Sequence, residues 1–344
     1  MQTQTTDLLP DPPLPPTDQS PIEHPSTLRN IFFGDEGLRA GWSILLFVAL
    51  LAAFLFTANF ITHKIHPPSH TTSPDKTIPY FFMFLNESIP FLGVCLVTWI
   101  MSKIERRPIG IYGLGGSSKV PHFIAGLAWG IICLSPFIFI LWKAGFLVFD
   151  QRLLFGTDIF RYGAQWLVMF FVVGLLEEYL TRGYLQYTLT RGLAGLFHWV
   201  FKTPHSRALG FWTSAVIFSL LFGFAHGSNP GESPIGLLTA GLASMMFCLV
   251  LWRTGSLWWA IGFHTTWDWG QSYLYGVADS GIMVQHHLLA THPVGKPLLS
   301  GGTTGPEGSI IILPIIILIV LVIIFTLPRT HAGYTRLMER PIES

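Results

Sequence analysis

The sequence predicts an all-α membrane protein, a polytopic bundle of about eight transmembrane helices with a polar site buried among spans four to seven. Three observations carry that prediction. Half of the 344 residues are hydrophobic and only 11% are charged, against about 25% charged in an ordinary soluble domain. Apolar runs of about 20 residues, the length needed to cross the hydrocarbon core, recur along the chain. Some of those runs hold ionisable residues, which cost roughly 2.5–3.5 kcal/mol each even on lenient insertion scales and so mark function by default.

Residues 1–28 include Asp11-Pro12-Pro13-Leu14-Pro15-Pro16 and read as a disordered, PPII-prone cytoplasmic tail. The start has neither a basic n-region nor an apolar h-region, so no signal peptide is read there. Residues 29–41 mix Ile31, Phe32 and Phe33 with Asp35, Glu36 and Arg39, the composition of a short interfacial helix. Residues 42–329 form the transmembrane domain, with its motif core at 160–275, and 330–344 form a second cytoplasmic tail. Within the domain, spans are expected at 42–62, 80–101, 122–142, 163–189, 208–226, 234–252, 256–276 and 309–327. The last is almost purely Ile, Leu and Val, which assigns it to lipid with no chemical role. Glycines, tryptophans and ionisable residues concentrate in spans four to seven.

Of the 20 Lys and Arg residues, 13 lie on the side shared by both termini and the even-numbered connections, and six on the other. The positive-inside rule makes both termini cytoplasmic. The seventh connection, 277–308, is then external; rich in Gly and carrying His286, His287 and His292, it reads as a solvated loop rather than a lid. A net charge of +1 argues against a nucleic-acid partner. Cys95, Cys133 and Cys248 sit in apolar runs without a C-x-x-C pair, so they are small hydrophobes and form neither a disulfide framework nor a cysteine–zinc site.

The fourth span holds Glu177-Glu178-Tyr179-Leu180-Thr181-Arg182. Glu178 and Arg182 are i,i+4 with the acid N-terminal, the better orientation for an ion pair. Glu177 lies about 140° from Arg182 on the helical wheel. This division makes Glu178 and Arg182 a structural pair and leaves Glu177 as a free carboxylate, suited to act as a general base. A helix–helix clamp explains one acid and one base but not the second acid. Phe222 and His226 share one face of the fifth span, where a lone histidine is more often a packing residue than a catalyst. A second histidine follows in the seventh span, with His264 and Asp268 again i,i+4. A carboxylate beside imidazole fixes its tautomer and lets it donate to a developing oxyanion. Trp258, Trp259, Trp267 and Trp269 around them also fit an interfacial aromatic belt.

These segments, in this order, resemble the CAAX prenyl protease 2 and bacteriocin-processing (CPBP, or Abi) family of intramembrane proteases. The family's E-E-x-x-x-R corresponds to Glu177 to Arg182, its F-x-x-x-H to Phe222 to His226, and its H-x-x-x-N or H-x-x-x-D to His264 to Asp268. The resemblance covers about residues 160–275. It implies an eight-helix fold, an endopeptidase acting on a membrane-associated peptide or protein, water activation by Glu177 and His226, and oxyanion stabilisation by His264 and Asp268. An ionised aspartate cannot donate to an oxyanion, so Asp268 is protonated, acts through His264, or ligates a metal. The family has been described both as metalloproteases and as metal-free glutamate proteases. Glu177, His226, His264 and Asp268 together offer a mixed N/O zinc site, although the metal-free reading is favoured. H-E-x-x-H, G-x-S-x-G and G-x-G-D are absent, which disfavours other protease chemistries. The alternatives are a proton-coupled transporter, which usually shows internal repeats not found here, and a non-catalytic immunity or scaffold protein.

Overall fold

The computed structural model describes residues 31–34, 37–65, 77–116 and 118–327. The two tails read from the sequence, 1–28 and 330–344, lie outside them. The described chain is a helical bundle: α1 (Ala40–Ile65), α2 (Tyr80–Ile104), α3 (Lys119–Lys143), α4 (Thr157–Glu178), α5 (Gln186–Phe201), α6 (Ser206–Ala225), α7 (Pro234–Thr254), α8 (Trp258–Trp269) and α9 (Ile312–Thr326). Each of the eight expected spans falls on helix. By length and composition six helical stretches qualify as membrane-crossing, and the 15-residue α9 is a shorter apolar helix. The protein is therefore an integral, multi-pass membrane protein.

The fourth span is longer than its apolar run. A π-helical stretch, Tyr179–Leu185, joins α4 to α5, giving one helix over Thr157–Phe201. Asp158 and Arg161 are exposed at its start and Arg191 is held by Glu105 (3.7 Å) and the Leu38 carbonyl (3.2 Å), so these charges bound the apolar window without ending the helix. The N-terminal segment also differs from expectation. Phe33–Gly34 (β1) and Gly37–Leu38 (β2) pair as two short antiparallel strands instead of continuing one interfacial helix.

Polarity sorts the helices from the centre outwards. On α8, nine residues from Trp259 to Asp268 are buried, and the helix packs against α3, α4 and α7. The far more apolar α1 is largely uncovered by protein. This follows from the solvent: hydrocarbon drives no further burial of a leucine-rich helix, whereas histidine, aspartate and threonine need protein partners. Small residues bring α8 close to α3. A Cβ at Gly126 would overlap the Trp259 carbonyl oxygen, one at Gly130 the Thr266 hydroxyl, and one at Gly262 the Phe123 carbonyl oxygen. Thr266 Oγ1 uses that proximity to donate to the Leu127 carbonyl at 2.8 Å.

Two expectations about the C-terminal third are corrected. Residues 277–308 are not a solvated loop. Leu289–Pro293 (β4) pairs antiparallel with Leu147–Arg152 (β3), and Ile78 bridges Val284. Asn229 Nδ2 donates to the Ser280 carbonyl at 3.0 Å and Thr303 Oγ1 to the Gly231 carbonyl at 2.8 Å. Together they make a folded cap at the end of the bundle. Nor is α9 only a lipid-facing helix: Ile312, Ile315, Ile319 and Ile323 form a buried stripe. Beyond its end, Arg253 donates to the carbonyls of Ile324 (2.8 Å) and Leu327 (3.1 Å), a basic cap on a helix C-terminus.

Gly126→Ala should destabilise the detergent-solubilised protein by about 1–3 kcal/mol through overpacking. Gly195→Ala, where a new Cβ meets nothing within 4 Å, should be neutral or slightly stabilising. Thermal melts of the two variants check the contrast.

Candidate active site

The E-E-x-x-x-R segment sits where α4 passes into its π-helical stretch, an irregularity common at functional sites. One turn earlier, Gly174 admits the backbone of α8: a Cβ there would lie 3.3 Å from the Ile261 carbonyl oxygen and 3.6 Å from His264 Cβ. Glu178 and Arg182 form the pair their spacing predicts, with Arg182 Nη1 2.7 Å from Glu178 Oε1 and both side chains fully buried. The same Oε1 accepts from His264 Nδ1 at 3.1 Å. Glu178 thus serves two basic groups from different helices, the Arg182 guanidinium and the His264 imidazole, and no sequence spacing links it to the second.

Arg182 in turn explains the phenylalanine of F-x-x-x-H. Its guanidinium carbon lies 4.5 Å from the centroid of the Phe222 ring and 5.6 Å from that of Phe247, so the aromatic faces cover a charge that has few acceptors. Phe222 also fixes His226. Its carbonyl receives the imidazole Nδ1 at 2.8 Å, which assigns the proton to Nδ1 and leaves Nε2 as a free acceptor. Phe247, on α7, lies 5.6 Å ring to ring from His264 and packs between the two motifs.

His264 is the hub. Besides Glu178, its Nε2 faces Asp268 Oδ2 at 3.4 Å and Glu177 Oε2 at 3.7 Å. Glu177 keeps 29% of its side chain exposed, into a cavity of about 290 Å³. Glu177, His226, His264 and Asp268, from three separate helices, all line that cavity, while Glu178 and Arg182 stand behind the wall. Its apolar lining includes Phe170, Val173, Met246, Ile312, Ile316 and Ile319. His286, His287 and His292 are not part of it: His286 packs against Tyr162 with the rings tilted, His287 bonds the Val284 carbonyl and His292 pairs with Asp150.

Three cavity carboxylates were missed by the sequence reading. Glu307, in the cap, accepts from Trp267 Nε1 at 2.7 Å, Gln271 Nε2 at 3.1 Å and Ser280 Oγ at 3.0 Å. Asp279 accepts from Gln271 Nε2 at 3.3 Å and Ser272 Oγ at 3.4 Å. Burial pushes the Asp279 carboxyl well above the usual carboxylate range, and the charges of Asp268 and Glu307 push the same way. Nothing local in the sequence links these cap residues to α8. The third, Glu87 on α2, lines the cavity beside Met83, and an ionisable residue in the apolar run Tyr80 to Met101 was a signal available from the start.

A zinc site needs three or four donors converging on one point at about 2.0–2.3 Å. Among the described residues, no group of three or more His, Cys, Asp or Glu side chains is arranged to hold a metal ion. As placed, the four candidate residues do not form a zinc cage; His264 meets carboxylates through both of its ring nitrogens.

Helix bundle, polar central helix and enclosed cavity define a membrane protein with ionisable groups held between its spans. Residues 159–270 match the family model for type II CAAX prenyl endopeptidases, Rce1-like, so the resemblance read from the three motifs is borne out over the stretch that carries them. That stretch contains both glutamates, both histidines and Asp268. No curated protein and no solved structure matches the chain.

Glu178→Ala should lower stability by about 3–5 kcal/mol, because it strands a buried guanidinium. Glu177→Ala, at a half-open position, should leave the melting temperature close to wild type. Equal melting of the two variants would remove the division of labour between the glutamates.

Proposed function

We propose that the protein is an intramembrane endopeptidase of the CAAX-protease-like type, in which Glu177 and His226 activate water and His264 with Asp268 stabilises the oxyanion. The observation that carries this reading is that the four side chains, brought from α4, from the end of α6 and from α8, line a single cavity. Water held between the Glu177 carboxylate and the free Nε2 of His226 gives its proton to Glu177 as its oxygen attacks the peptide carbonyl. The carbonyl oxygen, now negative, accepts a hydrogen bond from the proton held between His264 Nε2 and Asp268. Collapse of the tetrahedral intermediate breaks the C–N bond, and the proton on Glu177 passes to the leaving amine. Glu178 orients His264 through Nδ1, as a carboxylate orients imidazole in other hydrolases. The apolar wall suits a membrane-associated peptide or protein substrate delivered from the bilayer. This route uses no metal.

The test joins turnover and metal content. Glu177→Ala should reduce cleavage of a membrane-anchored reporter peptide by about 10²–10⁴-fold. Asp268→Asn should keep substantial activity, since an amide donates to the oxyanion directly, and wild-type activity should survive prolonged chelation. One equivalent of zinc by elemental analysis, lost in step with activity in Asp268→Asn, would instead make Asp268 a ligand and replace the metal-free route.

Orientation belongs to the same proposal. With 13 Lys and Arg on the terminal side and six on the other, both termini are cytoplasmic and the 277–308 cap is external. Reporter fusions at both ends should read cytoplasm, and an insertion near Gly301 the outside; a non-cytoplasmic C-terminus would change the number of spans.

A further inference from the structure

The cavity is lined by five carboxylates, Glu87, Glu177, Asp268, Asp279 and Glu307, and by no lysine or arginine. Four of the five have a protein group in front of them. Glu177 and Asp268 face His264, Asp279 is held by Gln271 and Ser272, and Glu307 by Trp267, Gln271 and Ser280. Glu87 is different. Among the described residues it has no hydrogen bond and no ion pair, although it sits within the membrane-crossing helix α2. A carboxyl in that position is costly to maintain and does nothing for packing that leucine would not do better. It lies outside the matched segment 159–270 and is not used by the peptide-hydrolysis steps.

We propose that Glu87 is a specificity-determining residue that receives a cationic side chain of the substrate, lysine or arginine, close to the scissile bond. This rests on the endopeptidase reading. The partner that Glu87 lacks within the protein is supplied by the bound chain, and a low-dielectric cavity makes such a pair strong and selective. With no lysine or arginine in the lining, those of the cavity carboxylates that stay ionised set a negative potential that draws in a cation and repels an acidic side chain. The aliphatic stem of the incoming lysine or arginine lies along the apolar wall while its head reaches the acid.

The experiment uses the full-length protein in detergent with internally quenched, acyl-anchored peptides, in which lysine or its neutral counterpart norleucine is walked through the positions around the cleavage site. Wild-type protein should prefer lysine over norleucine at one position by about tenfold or more in kcat/KM, carried by KM. In Glu87→Gln that ratio should fall to about one, and Glu87→Asp should restore part of it. A simple structural role would lower kcat/KM for both peptides together and leave the ratio untouched, which overturns the proposal, as does a wild type with no lysine preference at any position. If wild type cleaves none of the peptides, the endopeptidase reading itself fails for these probes. Binding to Glu177→Gln protein by fluorescence anisotropy then decides the charge recognition alone: a lysine preference lost on adding Glu87→Gln supports it, and equal affinities overturn it.

Discussion

A single buried carboxylate organises the site. Glu178 sits behind the cavity wall and is shared between Arg182 on its own helix and His264 on α8, with contacts of 2.7 and 3.1 Å to one oxygen. Removing an ionised pair from water is expensive, and only good geometry with further hydrogen bonds offsets that cost. Here the offset comes from two basic partners and from the aromatic faces of Phe222 and Phe247 over the guanidinium. The arrangement also fixes the relative position of three helices. The π-helical turn sets Arg182, Arg182 sets Phe222, and the Phe222 carbonyl sets the tautomer of His226. Any displacement of Glu178 therefore reaches both histidines at once, although it touches neither the cavity nor whatever binds there.

Lipid as solvent explains why the remainder of the bundle is arranged around α8. In water the greasiest helix would be central. In this protein α8 carries His264, Thr265, Thr266 and Asp268 and is buried on nearly every side, while α1 faces outward. Glycine at 126, 130 and 262 allows α3 to approach until side-chain hydroxyls reach backbone carbonyls. Close approach and polar satisfaction are one device: without the glycines, Thr266 would lose the Leu127 acceptor.

What was legible in the sequence was what helix periodicity encodes. The i,i+4 spacing of Glu178 with Arg182 translated directly into a contact, and the same spacing in His264–Asp268 into a second. Phe222 and His226 were read as neighbours, yet the reason for the phenylalanine was not, since it lies across the interface in Arg182. Contacts between residues far apart in sequence stayed invisible: Glu178 with His264, and Glu307 with Trp267 and Gln271. Composition misled twice. A run of isoleucine hides the fact that α9 walls the cavity, and a glycine-rich connection hides a cap built from backbone pairing and from Thr303, Asn229 and Glu307. Glu87 was overlooked for a different reason. It has no partner at helical spacing, so periodicity does not single it out.

The central position of α8 bears on how the protein is made. His264 and Asp268 are the last of the motif residues to leave the ribosome, and a helix carrying them would partition poorly into bare hydrocarbon. By then α3, α4 and α7, the helices that will surround α8, have already been synthesised. The nascent chain thus presents a prepared protein surface to its least lipid-soluble segment. Gene order in this fold doubles as an insertion schedule, with α9 emerging afterwards to close the remaining wall.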